Sequence, residues 1–466
     1  MAERGTKQIK PFGMQDKIGY FFGDFGNDFT FLLSSMFMMK FYTDVMGVSA
    51  AIVGLLMMGA RFVDAVTDVT MGQIVDRSKP TKDGKFKPWI RRCCGPLGIS
   101  AFLIFQSGFA GMPMGFKVFW MFFTYLLWGS IFYTSVNIPY GSMASAISPE
   151  ASDRAQLSTF RSMGSTCASL VIGTLTPMIA YVTVDGATVL SGTRMTIIAG
   201  VFAVCGILCH LLCFSMVTER VEVPQNTTKL NVGEMFKSII TNRALLGIIA
   251  AAIVFLLAML GMSGMSPYIY PVYYNSSAAQ AMSSLVGNLA ALIIVSPLAA
   301  KIAAKVGKKE MSVACCLAAA AVWGLCWILR PENAMVYVAV SVISTVLISF
   351  FNFVIWAMIT DVIDDAEIKN GVREDGTIYA VYSFARKMGQ ALSSGMIGGF
   401  MSLIGYTNAV AADPGAYPEV LSKMFNVSCF IPMIGLLLVA LALLFIYPLN
   451  KAKVDANVET LKKRRS

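Results

Sequence analysis

The sequence predicts an all-α integral membrane protein, with twelve transmembrane helices in two six-helix bundles. Three observations carry this. Hydrophobic residues make up 56% of the 466 residues, charged residues only 14%, and mean hydropathy is +0.66. A soluble domain carries roughly 25% charge, so this chain cannot cover itself with a polar surface. Apolar stretches long enough to cross about 30 Å of hydrocarbon recur along its length. The longest polar stretch between them, 218–243, leaves six on each side, as expected for two six-helix halves. The predicted division is therefore 1–217, a cytoplasmic middle loop 218–243, 244–448, and a basic tail 449–466. Strands are excluded because the stretches are too long and lack the polar alternation of a membrane barrel.

The elements follow in order. Span 1 (17–43) comes after a polar, basic start and carries Asp24, Asn27 and Asp28, so it is expected to be a retained membrane helix rather than a secretory signal. Span 2 (49–75) carries Arg61, Asp64 and Asp68 at steps of three and four, which places them on one stripe. Gly72, Asp76 and Arg77 follow, then a run of lysines before Pro88 and Trp89. A small residue with an acid–base pair beside it suits a gate: the glycine permits close helix approach, and the charges pair in one conformation only. Span 3 (91–113) opens on Cys93 and Cys94. Span 4 (116–146) places Tyr133, Thr134 and Asn137 just before Pro139. Span 5 (157–184) begins with Arg161.

Span 6 (195–217) repeats Cys205, Cys209 and Cys213 on one face, with His210 beside them. They read as small packing residues. There is no CxxC, and a single histidine supports neither a Ser-His-Asp mechanism nor a multi-histidine metal site. Spans 7 (244–272) and 8 (280–304) are apolar. The loop after span 8 offers Gly307, Lys308 and Lys309, a weaker gate signature without an acid. Span 9 (310–330) contains Cys315 and Cys316. Span 10 (335–360) carries Asn352 and Trp356, with Asp361, Asp364 and Asp365 at its end. Span 11 (377–406) places Tyr382, Arg386, Lys387 and Gln390 about two turns in, then a Gly395-x-x-x-Gly399 packing motif. Span 12 (424–448) closes the second half.

The net charge of +10 could suggest nucleic acid, but its distribution argues otherwise. With the N-terminus cytoplasmic, 28 of the 37 lysines and arginines fall on the cytoplasmic side and four on the other. That bias predicts a multi-pass protein of the cell membrane with both termini cytoplasmic.

The charges inside the spans are the functional candidates. Each costs about 2.5–3.5 kcal/mol at a helix centre, so each requires a partner or a watery cavity. Carboxylates one turn apart lie roughly 6 Å apart and repel by ~3 kcal/mol at an effective dielectric near 20. Arg61 balances only one of Asp64 and Asp68, so the pair calls for a second positive charge, a proton or Na⁺, or else forms a salt-bridge network that fixes packing. Trp356 is a packing residue or a sugar-stacking ring.

Several motifs together resemble one family. They are Gly23-Asp-Phe-Gly-Asn-Asp28, Phe41-Tyr-Thr-Asp44, Arg61-Phe-Val-Asp-Ala-Val-Thr-Asp68, Met71-Gly72, Gly84-Lys-Phe-Lys-Pro-Trp89, Asn137-Ile-Pro-Tyr140 and the Asp361 to Gly376 loop. The chain resembles the glycoside-pentoside-hexuronide:cation symporters, the melibiose-carrier relatives of the major facilitator superfamily, and among them the glucuronide and xyloside carriers.

The resemblance implies a symporter with a cation site at Asp64, Asp68, Thr134 and Asn137. Asn137 replaces a family aspartate, which favours H⁺ over Na⁺. It implies a sugar site including Asp28, Tyr133, Arg161 and Lys387, with Asn27 in place of a lysine and Asn352 in place of a tryptophan. Asp24 and Arg386 join that set from their positions inside the spans, and Gly72, Asp76, Arg77 and Asp361 are the gate set. The basic residues suit a hexuronide carboxylate, and Asp28 suits neutral sugar hydroxyls. The expectation is cation-coupled sugar uptake by a monomer in the lipid bilayer, without cofactor, nucleic-acid partner or enzymatic activity. An uncoupled facilitator or a carrier of lipid-like substrates in the same fold is the alternative.

Overall fold

A computed structural model describes residues 11–221, 242–370 and 375–465. Most of the middle loop and Gly371 lie outside them. Twelve long helices run through the described residues: α1 Met14–Lys40, α2 Ala50–Arg77, α3 Lys87–Ile104, α4 Met114–Ile147, α5 Ala151–Ala180 and α6 Gly192–Met216, then α7 Arg243–Tyr273, α8 Ser277–Val306, α9 Lys308–Leu329, α10 Ala334–Asn370, α11 Asp375–Leu403 and α12 Pro418–Ile446. Nine are long and apolar enough to cross a membrane. The other three, α1, α3 and α11, are diluted by charged and polar residues.

Four boundaries differ from expectation. α5 starts at Ala151, so Arg161 lies nearly three turns inside the helix rather than at its start. α5 also ends at Ala180, where Tyr181–Val184 (β1) pairs antiparallel with Ala187–Leu190 (β2). Asp185 and Gly186 turn the hairpin with φ of 48° and 83°. This is an Asp-Gly hairpin signal between β-branched runs, which apolar length alone concealed. α10 continues to Asn370, so Asp361, Asp364 and Asp365 ride on the helix. Charge ends the hydropathy there without ending the helix. The basic tail is also a helix, α13 Lys451–Arg465, rich in good helix formers and carrying a Glu459–Lys463 pair at 2.8 Å.

Packing divides the chain into two units. Unit 1 comprises Met1–Ser35, Val63–Ile172 and Met195–Thr228; unit 2 comprises Met36–Phe62, Gly173–Arg194 and Lys229–Ser466.

In unit 1, Tyr20 and Tyr140 stack with ring centroids 4.6 Å apart. Each hydroxyl donates to the other residue's carbonyl, at 2.6 Å from Tyr140 and 3.3 Å from Tyr20. This join requires Gly23, where a Cβ would overlap the Tyr140 ring. Gly23→Ala is expected to destabilise the protein by about 1–3 kcal/mol, read as a lower melting temperature in detergent. Gly59→Ala, where a Cβ meets nothing within 4 Å, serves as the control. An unchanged melting temperature for Gly23→Ala would refute the packing argument.

The α3 start is capped from a distance. Glu219 accepts from the backbone N–H groups of Lys85, Phe86 and Lys87 at 2.7, 2.9 and 2.7 Å. A carboxylate here satisfies orphan donors and complements the helix dipole.

In unit 2, Trp323 donates to Ser344 at 2.8 Å and Tyr270 to Ser341 at 2.9 Å. The first part of α2 meets α11 backbone to backbone. A Cβ on Gly54 would lie 2.8 Å from the Gly398 Cα, and one on Gly398 would lie 2.5 Å from the Ala50 carbonyl oxygen. Gly395 faces Met58, whereas Gly399 faces open space. The working pair is thus Gly395 and Gly398, because α11 turns that face to α2. The hairpin is tied to the end of α7, with the Thr188 N–H donating to Asn275 at 2.7 Å and Tyr181 to the Pro267 carbonyl at 3.1 Å.

Candidate functional site

Two ladders of polar side chains line unit 1. Between α2 and α4, Ser130 donates to Asp64 at 2.6 Å, and one turn on Thr134 donates to Asp68 at 2.7 Å. Both rungs join residues 66 apart in sequence. Between α1 and α5, Arg161 pairs with Asp24 at 3.0 Å, and one turn on Ser165 donates to Asp28. Both of these join residues 137 apart. A constant offset is what parallel neighbouring helices produce, and alternate helices of an up–down bundle run parallel. Carboxylates at i, i+4 therefore meet partners at i, i+4.

The carboxylates have the following partners, and Asp64 and Asp68 have others besides. Asp24 has a guanidinium, which also lies 5.3 Å from the Tyr140 ring centroid. The Arg161 side chain stays 39% exposed, so it can reach a ligand while holding Asp24. Asp28 is buried beside one hydroxyl. Asp64 is buried and accepts from Ser130; Asp68 is half-buried and accepts from Thr134. Gly129 leaves room for the Asp64 carboxylate, whose Oδ1 would lie 3.3 Å from a Cβ at that position. The site thus presents carboxylates and hydroxyls to a small cation, and an arginine with carboxylates to a polyol.

The other expected residues fall as follows. Asn137 is half-buried and makes no side-chain hydrogen bond among the described residues. Tyr133 stacks on Phe31 at 5.6 Å. Asn27 is buried, and its Oδ1 lies 3.1 Å from His210 Nε2; His210 Nδ1 lies 2.7 Å from the Gly206 carbonyl oxygen. Cys209 belongs to the same contact, since a Cβ on Gly26 would lie 3.0 Å from the Cys209 Cβ. The cysteine face therefore packs against α1.

Unit 2 holds Asn352, Arg386 and Lys387. Asn352 is exposed. Arg386 lies 5.5 Å from the Trp356 ring and 5.9 Å from the Tyr382 ring. Those two rings meet edge to face at 4.9 Å. Trp356 is a platform for Arg386 here, a cation–π arrangement. Lys387 is half-buried beside it.

The gate set behaves unevenly. A Cβ on Gly72 would meet nothing within 4 Å, and Asp76 and Arg77 make no ion pair among the described residues. Among the described residues, Gly72 thus has no close helix neighbour in this conformation. Asp361 pairs with Lys308 at 2.6 Å. The acid missing from the loop after α8 is therefore supplied by α10.

Sequence reasoning missed Ser130 and Ser165, and it did not pair Lys308 with Asp361. The two serines carried a signal: each stands one turn from a residue already singled out, Ser130 from Thr134 and Ser165 from Arg161.

Residues 19–451 match the family model described as "MFS/sugar transport protein". The chain belongs to that family. It is a transporter of the MFS sugar transport family and not an enzyme. The chain is 31% identical over 410 residues to an uncharacterized symporter, YjmB, of Bacillus subtilis, covering 86% of each chain. It is 28% identical to a glucuronide carrier protein homolog of Escherichia coli, covering 96% of this chain and 95% of that one. It is 29% identical to an isoprimeverose transporter of Lactiplantibacillus pentosus, covering 94% and 89%. Among solved structures, a D-xylose-proton symporter superposes with a TM-score of 0.63 at 13% identity, covering 93% of this chain and 97% of that one. The fold is accordingly the major facilitator fold.

Proposed function

We propose that this protein is a cation-coupled symporter that takes up a glycoside, pentoside or hexuronide across the cell membrane, with both termini cytoplasmic. The paired ladders carry this reading: two carboxylate–hydroxyl rungs suit a cation, and the Asp24–Arg161 and Asp28–Ser165 rungs suit a sugar. Asp64, Asp68, Thr134 and Asn137 form the cation site. A family carboxylate is absent at Asn137, which supports H⁺ as the coupling ion. Asp24, Asn27, Asp28, Tyr133 and Arg161 bind the sugar, with Asn352, Arg386 and Lys387 as further contacts. Gly72, Asp76, Arg77 and Asp361 act as a cytoplasmic gate. Relatives named for a glucuronide and for isoprimeverose support the glycoside class.

Cation binding relieves repulsion between Asp64 and Asp68 and steadies α2 against α4, and this raises sugar affinity. By linkage, sugar raises cation affinity by the same factor. The test is uptake of a glycoside panel by vesicles under an imposed pH or Na⁺ gradient. Accumulation driven by the pH gradient, with sugar-stimulated proton entry, is expected. Equilibration without accumulation under either gradient would replace the symporter with a facilitator.

A further inference from the structure

One charged cluster lies outside the ladders, wholly within unit 2. Lys40 ends α1 and is 1% exposed. Its ammonium lies 2.6 Å from Asp44, one turn on, and donates to the Tyr406 hydroxyl at 2.7 Å. Tyr406, just past α11, donates to both Asp44 oxygens at 3.0 and 3.1 Å. Thr43 donates to Asp44 at 2.9 Å, and its hydroxyl lies 3.3 Å from that of Tyr268 on α7. The Tyr268 and Tyr406 rings meet edge to face at 5.0 Å, and the ammonium sits 4.6 and 5.2 Å from their centroids.

The ion pair comes from the end of α1 and the turn that continues it, and the two rings come from α7 and from the chain just past α11. That division has an energetic consequence. A caged, dry ion pair gives up hydration about as costly as the attraction it gains, so its net contribution to closure is small. Uncaged, the same pair is a hydrated i, i+4 surface pair, which is also cheap. An apolar plug would favour the closed state alone. A charged plug leaves the two states close in energy, as a carrier that must open and close in each cycle requires. The surrounding joins, Gly54 on Gly398 and Thr188 on Asn275, carry no charge.

We propose that Lys40, Asp44, Tyr268 and Tyr406 form the outer latch of the transporter. It is closed in this structure, and it opens when Tyr268 and Tyr406 leave the Lys40–Asp44 pair. These are positioning residues, which set how often the outer route is open. The word outer rests on the orientation proposed above; the latch itself does not.

Two variants of the full chain shift the latch in opposite senses. Tyr406→Phe keeps the ring and removes the hydroxyl that bridges both charges, so it favours opening. Lys40→Met with Asp44→Leu replaces the pair with apolar groups of similar size, so it favours closure. Deuterium exchange on purified protein reads this directly. Backbone exchange over residues 36–48 and 403–412 should rise roughly tenfold in Tyr406→Phe, the scale of one lost charged hydrogen bond, and fall in the double variant. Exchange over α3 should stay constant. In vesicles, the KM for external sugar should fall in Tyr406→Phe and rise in the double variant, with Vmax lowered in both. A merely structural role lowers Vmax and leaves KM in place. Unchanged exchange over the two segments, or a shift in the same direction in both variants, overturns the latch. If the wild type accumulates no sugar under either gradient, coupled symport fails and the exchange result still decides the latch.

Discussion

Replacing Asp64 or Asp68 with asparagine is expected to abolish concentrative sugar uptake while sparing exchange of sugar down its gradient. Each substitution removes one of two like charges that stand about 6 Å apart and repel by ~3 kcal/mol. In the proposed symport a bound cation relieves that repulsion, so its size bounds the expected coupling: about 100-fold between cation and sugar affinity. With one carboxylate gone, the cation has little to relieve and the two affinities become independent. Folding should survive, because asparagine still accepts from Ser130 or Thr134, the partners at 2.6 and 2.7 Å. The measurement is steady-state accumulation in energised vesicles against counterflow in de-energised ones. Accumulation at the wild-type level in the double Asn variant would remove the cation site from α2.

Arg161→Leu is the second large effect, and it should act on binding rather than on coupling. Arg161 lies 3.0 Å from Asp24, which is buried. Removing it leaves Asp24 without its cation, with Asp28 one turn away, at a cost of about 3–5 kcal/mol. The same guanidinium is partly exposed, so a sugar at the proposed site would lose a bidentate donor as well. Sugar binding by titration calorimetry should fall by more than about 100-fold. Arg161→Lys should recover folding but not affinity, since an ammonium lacks the planar fork. Asp24→Asn with Arg161→Gln removes the charges together and separates a folding defect from a binding one. Wild-type affinity in a well-folded Arg161→Leu protein would exclude it from the sugar site.

The missed features share a cause. The β1–β2 hairpin was hidden because its β-branched residues extend an apolar run, and only pairing separates a buried strand from a helix end. Ser130 and Ser165 are ordinary helix residues until a carboxylate is opposite. Asp44 reads as a loop acid after span 1 and Tyr406 as the last residue of span 11. They lie 362 positions apart, and nothing local links them. Gly72 shows the reverse case, a residue for which no described neighbour makes the suggested close approach in this conformation.

The sequence by itself determined the membrane class, the twelve helical stretches, the charge bias that predicts their orientation and the i, i+4 carboxylates of α1 and α2. These are local or compositional properties, fixed by hydrophobic length, helical period and the cost of charge in lipid. Tertiary structure alone decided which partner each carboxylate holds, that Arg161 belongs inside α5 and pairs with Asp24, and that Lys40 and Asp44 are caged by Tyr268 and Tyr406. The reason is that buried charges are stable only through partners. The period of one helix states where a partner is needed, and only packing between helices distant in sequence supplies it.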